Sequence, residues 1–117
     1  MNVVGKHFIL DIKTKSRLLT DANAVCDLFK KVATEVGCTV LFERAQIFPD
    51  TNGFTAIIGL AESHMSIHTW PEHDFAAVDI FMCGEADSTT ASQMIVDAFE
   101  PISYEVKVID RRINWPS

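Results

Sequence analysis

Two hydrophobic periods alternate along this chain, and their order constrains its fold more than any other feature of the sequence. Phe8, Leu10 and Ile12 recur at every second position, which is the period of a strand with one buried face. From Asp21 to Gly37 the apolar side chains instead recur at spacings of three and four, as in an amphipathic helix. A second helix of this kind is predicted before Pro101. Further strands are predicted over 38–47, 54–60, 63–70, 75–82 and 102–109.

The element order that these periods predict is βαβββαβ, to within one strand, in a single domain over 1–117. This order predicts an α+β fold, a two-layer sandwich in which an antiparallel or mixed sheet carries both helices on one face. Thr20 or Asp21 is the expected N-cap of the first helix and Ser88 that of the second, because such side chains accept bonds from first-turn N–H groups. The stretch Pro49–Gly53 supplies a turn between two strands.

Composition and charge exclude several classes of protein. With 48% hydrophobic and 22% charged residues, the chain is too apolar to be disordered. Its net charge of −6 and its lack of a basic cluster argue against a nucleic-acid partner. No apolar run reaches the roughly 18 residues that span a bilayer, and no signal peptide is recognisable, so we expect a cytoplasmic protein without a membrane partner. Three cysteines without a CxxC pair predict a reducing compartment rather than a disulfide framework.

Most of the reactive side chains are concentrated in Glu62–Glu72. In a strand over 63–70, Ser63 and His68 lie on opposite sides, so they need a bend or a strand end to meet. The spacing of His64 and His68 suits a zinc pair on a helix but not on a strand, so no metal is expected. No G-x-S-x-G motif surrounds a serine here, which argues against a hydrolase. A polar, solvated edge strand is the alternative to a reactive site.

The segment AESHMSIHTWPE over 61–72 is followed by AAVDIF over 76–81 and by CG over 83–84. This near-contiguous run resembles the short prokaryotic S-adenosylmethionine decarboxylases, which make their own pyruvoyl cofactor. The likeness extends from Gly5 to the last predicted strand near Ile109, which is most of the chain.

The resemblance implies that the chain cleaves itself between Glu62 and Ser63 into fragments of residues 1–62 and 63–117. The Ser63 hydroxyl attacks the Glu62 carbonyl, and an N→O acyl shift gives an ester. β-Elimination and hydrolysis then convert Ser63 into the pyruvoyl group, which accepts electrons as carbon dioxide leaves an α-amino acid. Because attack of a serine on its own preceding carbonyl is geometrically unfavourable, we expect a strained backbone at this junction.

The resemblance also implies roles for three residues near the cleavage site. Cys83 matches the cysteine that returns a proton to the substrate Cα, the alternative being a buried structural thiol. His68 matches the histidine that assists processing, here as the base that removes the Cα proton of Ser63. Thr55 falls where the family carries a serine or threonine that helps stabilise the processing intermediate.

Three further residues match the family's substrate site. Glu72 matches the acidic residue expected to accept hydrogen bonds from the ribose hydroxyls, and a solvated glutamate is its alternative. Trp70 and Phe48 offer aromatic faces to an adenine and a sulfonium. The loop that follows Phe48 is one residue longer than the usual family spacing, and a core aromatic is the alternative interpretation of Phe48.

The expected function is therefore a self-processing, pyruvoyl-dependent decarboxylase of S-adenosylmethionine that supplies the aminopropyl donor for spermidine synthesis. A same-fold arginine or ornithine decarboxylase is an alternative, because the pyruvoyl group requires only an α-amino acid. An unprocessed relative that binds S-adenosylmethionine is another. A homodimer of processed protomers is expected, because the resembling enzymes work as dimers and a chain of 117 residues has a thin core.

Overall fold

Six strands and two helices make up the computed structural model, which describes residues 2–113. In chain order they are β1 (Asn2–Lys13), α1 (Ala22–Glu35), β2 (Val40–Ile47), β3 (Phe54–Leu60), β4 (Ser63–Trp70), β5 (Phe75–Cys83), α2 (Ser88–Phe99) and β6 (Ser103–Ile113). Short 3-10 turns at Arg17–Thr20 and Pro71–His73 connect elements. All neighbouring strands are antiparallel, and their order across the sheet is β2-β3-β4-β5-β1-β6.

The predicted α+β sandwich is confirmed, with a wholly antiparallel sheet. Four strands lie between the two helices, which matches the four predicted ranges and is one strand more than the predicted order, within its margin of one strand. Asp21 caps α1 as expected, but the expected cap of α2 is wrong. Asp87 accepts the bond from the Thr90 N–H at 3.0 Å, and Ser88 is the first residue inside the helix.

The core lies between the two helices and one face of the sheet, which we call the inner face. Its sheet residues alternate along the four central strands: Phe8, Leu10 and Ile12 on β1; Phe54, Ala56, Ile58 and Leu60 on β3; Met65 and Ile67 on β4; Ala76, Val78, Ile80 and Met82 on β5. Phe29 of α1 and Phe99 of α2 are fully buried against them. Burying apolar area in this way is the main stabilising contribution available to such a domain.

The opposite face of the sheet, which we call the outer face, carries no helix. It is formed by the alternate residues of the same strands, including His7, Thr55, Ile57, His64, Ser66, His68, Trp70, Asp79, Phe81 and Cys83. Ile57 and Trp70 are among its exposed large apolar side chains. Most of its other side chains are polar, so this face combines exposed apolar residues with hydroxyl, imidazole and carboxylate groups.

Thr14 links the end of β1 to the end of α2 by a hydrogen bond. Its hydroxyl is fully buried, donates to the carbonyl oxygen of Phe99 at 2.5 Å and accepts from the Ser16 N–H at 3.0 Å. This bond satisfies one of the carbonyls that a helix leaves unpaired at its C-terminus.

Thr14→Val is expected to lower the free energy of unfolding by about 1–3 kcal/mol, because it leaves a buried carbonyl without a donor. Thr14→Ser keeps the hydroxyl and is the matched control, with a smaller loss. Urea denaturation of both variants measures the difference. A larger loss in the serine variant than in the valine variant would show that the methyl group, rather than the hydroxyl, stabilises this junction.

Candidate active site

A two-residue turn, Ala61 and Glu62, joins β3 to β4 and ends at Ser63. Glu62 has a φ of 61°, in the left-handed region that residues with a Cβ rarely adopt. The strained backbone expected at the Glu62–Ser63 junction is therefore present, on the residue that contributes the carbonyl.

Cys83 contacts both sides of this junction from the end of β5. Its Sγ donates to the Glu62 carbonyl oxygen at 2.6 Å, and its backbone N–H donates to the Ser63 Oγ at 3.1 Å. The structure thus brings together Glu62, Ser63 and Cys83, which we call the Ser63 cluster. A thiol that donates to a carbonyl oxygen can also stabilise negative charge that develops there.

A cleft of about 420 Å³ opens beside the Ser63 cluster. Its other wall is the connection between α1 and β2, where the Thr39 carbonyl accepts from the Ala61 N–H at 3.0 Å. Cys38 also lines this cleft, and its pKa is raised first by burial and then by the electrostatic influence of the neighbouring Cys83. Cys38 is therefore a neutral thiol near pH 7.

Thr55 and His68 form a second cluster, the His68 cluster. They are directly opposite on β3 and β4, and the Thr55 Oγ1 lies 2.8 Å from the His68 Nδ1. This contact leaves the Nε2 of the imidazole free to exchange a proton with another group.

A cavity of about 360 Å³ adjoins the His68 cluster. The sequence-predicted residues Phe48, Thr55, His68, Trp70 and Glu72 all line it. The Trp70 ring lies 6.1 Å from that of His68, centroid to centroid. Phe48 is 47% exposed, so the core alternative for this aromatic is wrong.

The two clusters do not meet within one chain. Ser63 and His68 are five residues apart on β4, which is about 17 Å at the rise of an extended strand. By the alternation of side chains along β4, Ser63 also lies on the same face as the buried Met65 and Ile67, whereas His68 is exposed on the outer face. No bend in β4 brings them together. A reaction that uses both clusters therefore needs one of them to come from a second copy of the chain.

Thr69 is a residue of this region that sequence reasoning missed. It is 5% exposed, and its hydroxyl donates to the Leu19 carbonyl at 2.7 Å and accepts from the Phe54 N–H at 3.0 Å. It thereby fixes the backbone next to Thr55 and that next to His68. A hydroxyl in the apolar alternation of β4 is the signal that could have identified it.

The turn after β2 places Phe48 at the rim of the same cavity. The Phe48 N–H donates to the Gly53 carbonyl at 2.8 Å, and the Gly53 N–H donates to the Thr51 hydroxyl at 3.1 Å. A Cβ on Gly53 would lie 2.7 Å from the Thr69 carbonyl oxygen, so only glycine fits there.

No helix among residues 2–113 is long and apolar enough to cross a membrane. No three His, Cys, Asp or Glu side chains among these residues are grouped so that they could hold a metal ion.

Comparison with known proteins gives consistent matches. A family model described as S-adenosylmethionine decarboxylase matches residues 6–112. The S-adenosylmethionine decarboxylase proenzyme of Thermodesulfovibrio yellowstonii is 35% identical over 102 residues, which is 86% of this chain and 75% of that protein. The arginine decarboxylase proenzyme of Aeropyrum pernix is 33% identical over 112 residues, 93% of this chain and 85% of that protein. The crystal structure of the adenosylmethionine decarboxylase from Aquifex aeolicus superimposes with a TM-score of 0.84 at 25% identity, covering 100% of this chain and 98% of that one.

Thr69→Val is expected to lower the free energy of unfolding by about 2–4 kcal/mol, because each buried group left unpaired costs about 1–3 kcal/mol. It is also expected to speed hydrogen exchange at the Phe54 amide, which loses its acceptor. Thr69→Ser is the control that retains both bonds. An unchanged exchange rate at Phe54 in the valine variant would contradict the assigned role.

Proposed function

Because the chain belongs to the S-adenosylmethionine decarboxylase family, we propose that it is a proenzyme that cleaves itself at Glu62–Ser63 and then decarboxylates S-adenosylmethionine. The observation that carries this proposal is the pair of contacts that Cys83 makes with the Glu62 carbonyl oxygen and the Ser63 hydroxyl. The relatives named as proenzymes support self-processing.

The first step follows from the geometry of the Ser63 cluster. The Ser63 Oγ forms a bond to the Glu62 carbonyl carbon, and the bond from that carbon to the Ser63 nitrogen breaks. The hydroxyl proton passes to the nitrogen, which becomes a free amine, and an ester remains. The Cys83 thiol stabilises the negative charge on the carbonyl oxygen, and the left-handed Glu62 backbone raises the energy of the ground state.

The second step converts the ester into two chains. A base removes the Cα proton of Ser63, the Oγ–Cβ bond breaks, and Glu62 leaves as a carboxylate. Water then replaces the nitrogen of residue 63, releasing ammonia and leaving a pyruvoyl group. The products comprise residues 1–62 and 63–117, whose outermost residues, 1 and 114–117, lie beyond the described part of the chain.

We propose that His68 is this base and that it acts on the partner chain of a homodimer. Within one protomer His68 is about 17 Å from Ser63 along β4. A second copy packed on the open outer face, related by a two-fold axis near the middle of β4, brings each His68 cluster towards the Ser63 cluster of the other copy. The exposed Ile57 and Trp70 on this face support such a contact, because covering them removes apolar area from water.

The cavity beside the His68 cluster has the chemistry of an S-adenosylmethionine site. Trp70 and Phe48 present aromatic faces suited to a flat adenine and to a sulfonium. The exposed carboxylate of Glu72 can accept hydrogen bonds from two adjacent ribose hydroxyls. The adenine of S-adenosylmethionine offers these two side chains a full aromatic ring, whereas arginine offers only a planar guanidinium and ornithine no planar group, which supports S-adenosylmethionine as the substrate.

The pyruvoyl group supplies a ketone that withdraws electrons from the substrate as carbon dioxide leaves. The Ser63 cluster fits this group, because Cys83 contacts both the hydroxyl of Ser63, the residue that would become the pyruvoyl group, and the Glu62 carbonyl oxygen. The Cys83 thiol, once the Glu62 carbonyl has departed, is placed to deliver a proton to the substrate Cα.

Denaturing intact-mass spectrometry of freshly purified protein tests the proposal directly. We expect two species, residues 1–62 and 63–117, the second lighter by one ammonia than a serine N-terminus and reactive towards a hydrazine. Ser63→Ala is expected to remain a single 13.0 kDa chain. A wild-type chain that stays whole while it still binds S-adenosylmethionine would identify an unprocessed relative instead.

The rate of carbon dioxide release from each candidate substrate shows which amino acid the enzyme decarboxylates. The processed protein is expected to act on S-adenosylmethionine and not on arginine or ornithine. Turnover of arginine at a comparable kcat/KM would overturn the substrate assignment while leaving the processing mechanism intact.

Mixing two inactive variants tests the shared site. Ser63→Ala and His68→Ala, co-expressed in equal amounts, are expected to recover roughly a quarter of the wild-type activity, because half of the dimers are mixed and each has one intact site. Ser63→Ala with Cys83→Ala is the matched control, in which every site lacks one member of the Ser63 cluster, so no activity returns. Equal recovery in both mixtures, or in neither, would contradict the assignment of the two clusters to different protomers.

A further inference from the structure

The last strand, β6, lies at one edge of the sheet and is exposed along its whole length. Tyr104, Val106 and Val108 lie on its inner face, opposite the buried Ile12, Leu10 and Phe8 of β1. They are nevertheless 46%, 39% and 51% exposed, because the helices cover β1 but do not reach β6. An apolar stripe therefore runs beside the core without cover.

The free edge of β6 is long and regular, and its charged side chains restrict which strand can pair with it. It has 11 residues with no proline or glycine, and its ladder with β1 is regular from Ser103 to Arg111. The one irregularity in that ladder lies beyond Arg111, between Val3 and Gly5 of β1. A long, regular edge with apolar side chains is a template for pairing with another strand.

We propose that β6 pairs antiparallel with β6 of a second copy, about a two-fold axis through Val106. In this register Tyr104 lies opposite Val108 of the other copy, so the apolar stripe continues across the axis. On the outer face Glu105 lies opposite Lys107, which places unlike charges directly across the strands. A two-fold contact repeats each pair, so both complementary pairs occur twice.

Neighbouring registers are less complementary. An axis through Lys107 places this lysine opposite its own copy, which is a destabilising pair of like charges. An axis through Val108 places Val106 opposite Asp110 and interrupts the apolar stripe with a carboxylate. Of these three registers, only the one centred on Val106 combines unlike charge pairs with an uninterrupted apolar stripe, which favours a second copy as the partner of β6.

This contact differs from the outer-face dimer proposed above and does not depend on it. The inner stripe and the free edge of β6 stay exposed when a second sheet covers the outer face. β6 also lies three strands from β4, about 14 Å across the sheet, so pairing there leaves Ser63 and His68 unaffected. Used together, the two contacts assemble dimers into a tetramer.

Cysteine cross-linking measures the register. In Val106→Cys the two new thiols lie opposite each other at about 4.5–5.5 Å between Cβ atoms, and oxidised glutathione is expected to join them. Val108→Cys is the matched control, because its two copies are about 13 Å apart along the strands and do not join. Equal cross-linking of both variants, or of neither, would overturn the register. Peptide mapping separates the new disulfide from bonds formed by the three native cysteines.

Exchanging the charges of β6 tests the β6–β6 contact without introducing new thiols. Glu105→Lys and Lys107→Glu singly place like charges opposite each other, and each is expected to halve the assembly mass measured by sedimentation velocity. The double variant restores unlike pairs and is expected to restore the mass. All four proteins should keep the wild-type processing and activity, since neither residue belongs to a catalytic cluster. An assembly mass that is the same in every variant would show that β6 does not mediate association.

Discussion

The register of β4 between its two neighbours is the constraint on which both clusters depend. That register places His68 opposite Thr55 on β3 and brings Ser63 to the end of β5, where Cys83 lies. Because side chains alternate along a strand, a slip of one residue would move His68 to the inner face and Met65 out of the core. The buried Met65 and Ile67 oppose such a slip, so the same residues that stabilise the sheet also align the reactive groups.

Only one face of the sheet is covered by this chain's own helices. The exposed outer face and the exposed edge strands both follow from this. Two helices cover four strands, which leaves the outer face and both edge strands in contact with solvent. A domain of this size gains little from its own core. The proposed dimer would add burial, and it would also bring together the Ser63 and His68 clusters, which are separated along β4.

The ends of β3 and β4 were predictable from the sequence because turn residues and strict alternation bracket them. The opposite sides of Ser63 and His68 followed from the same alternation. β1 and β6 extend further than predicted, since their outer parts are held by hydrogen bonds across the sheet rather than by burial. The contact between Cys83 and Glu62, and the bonds of Thr69 to Leu19 and Phe54, join distant parts of the chain, so local patterns could not reveal them.

The order of strands in the sheet has a consequence for refolding after the proposed cleavage. β1 precedes the Glu62–Ser63 junction in the chain, yet it lies between β5 and β6, which both follow it. A chain cut at this junction is held together by β1 from both sides and by the β3–β4 ladder. Once the two pieces separate, however, they must find each other again by diffusion, so refolding becomes dependent on concentration. Under the proposed cleavage, the uncut precursor would fold as a single molecule, and the two pieces would be hard to reassemble once separated.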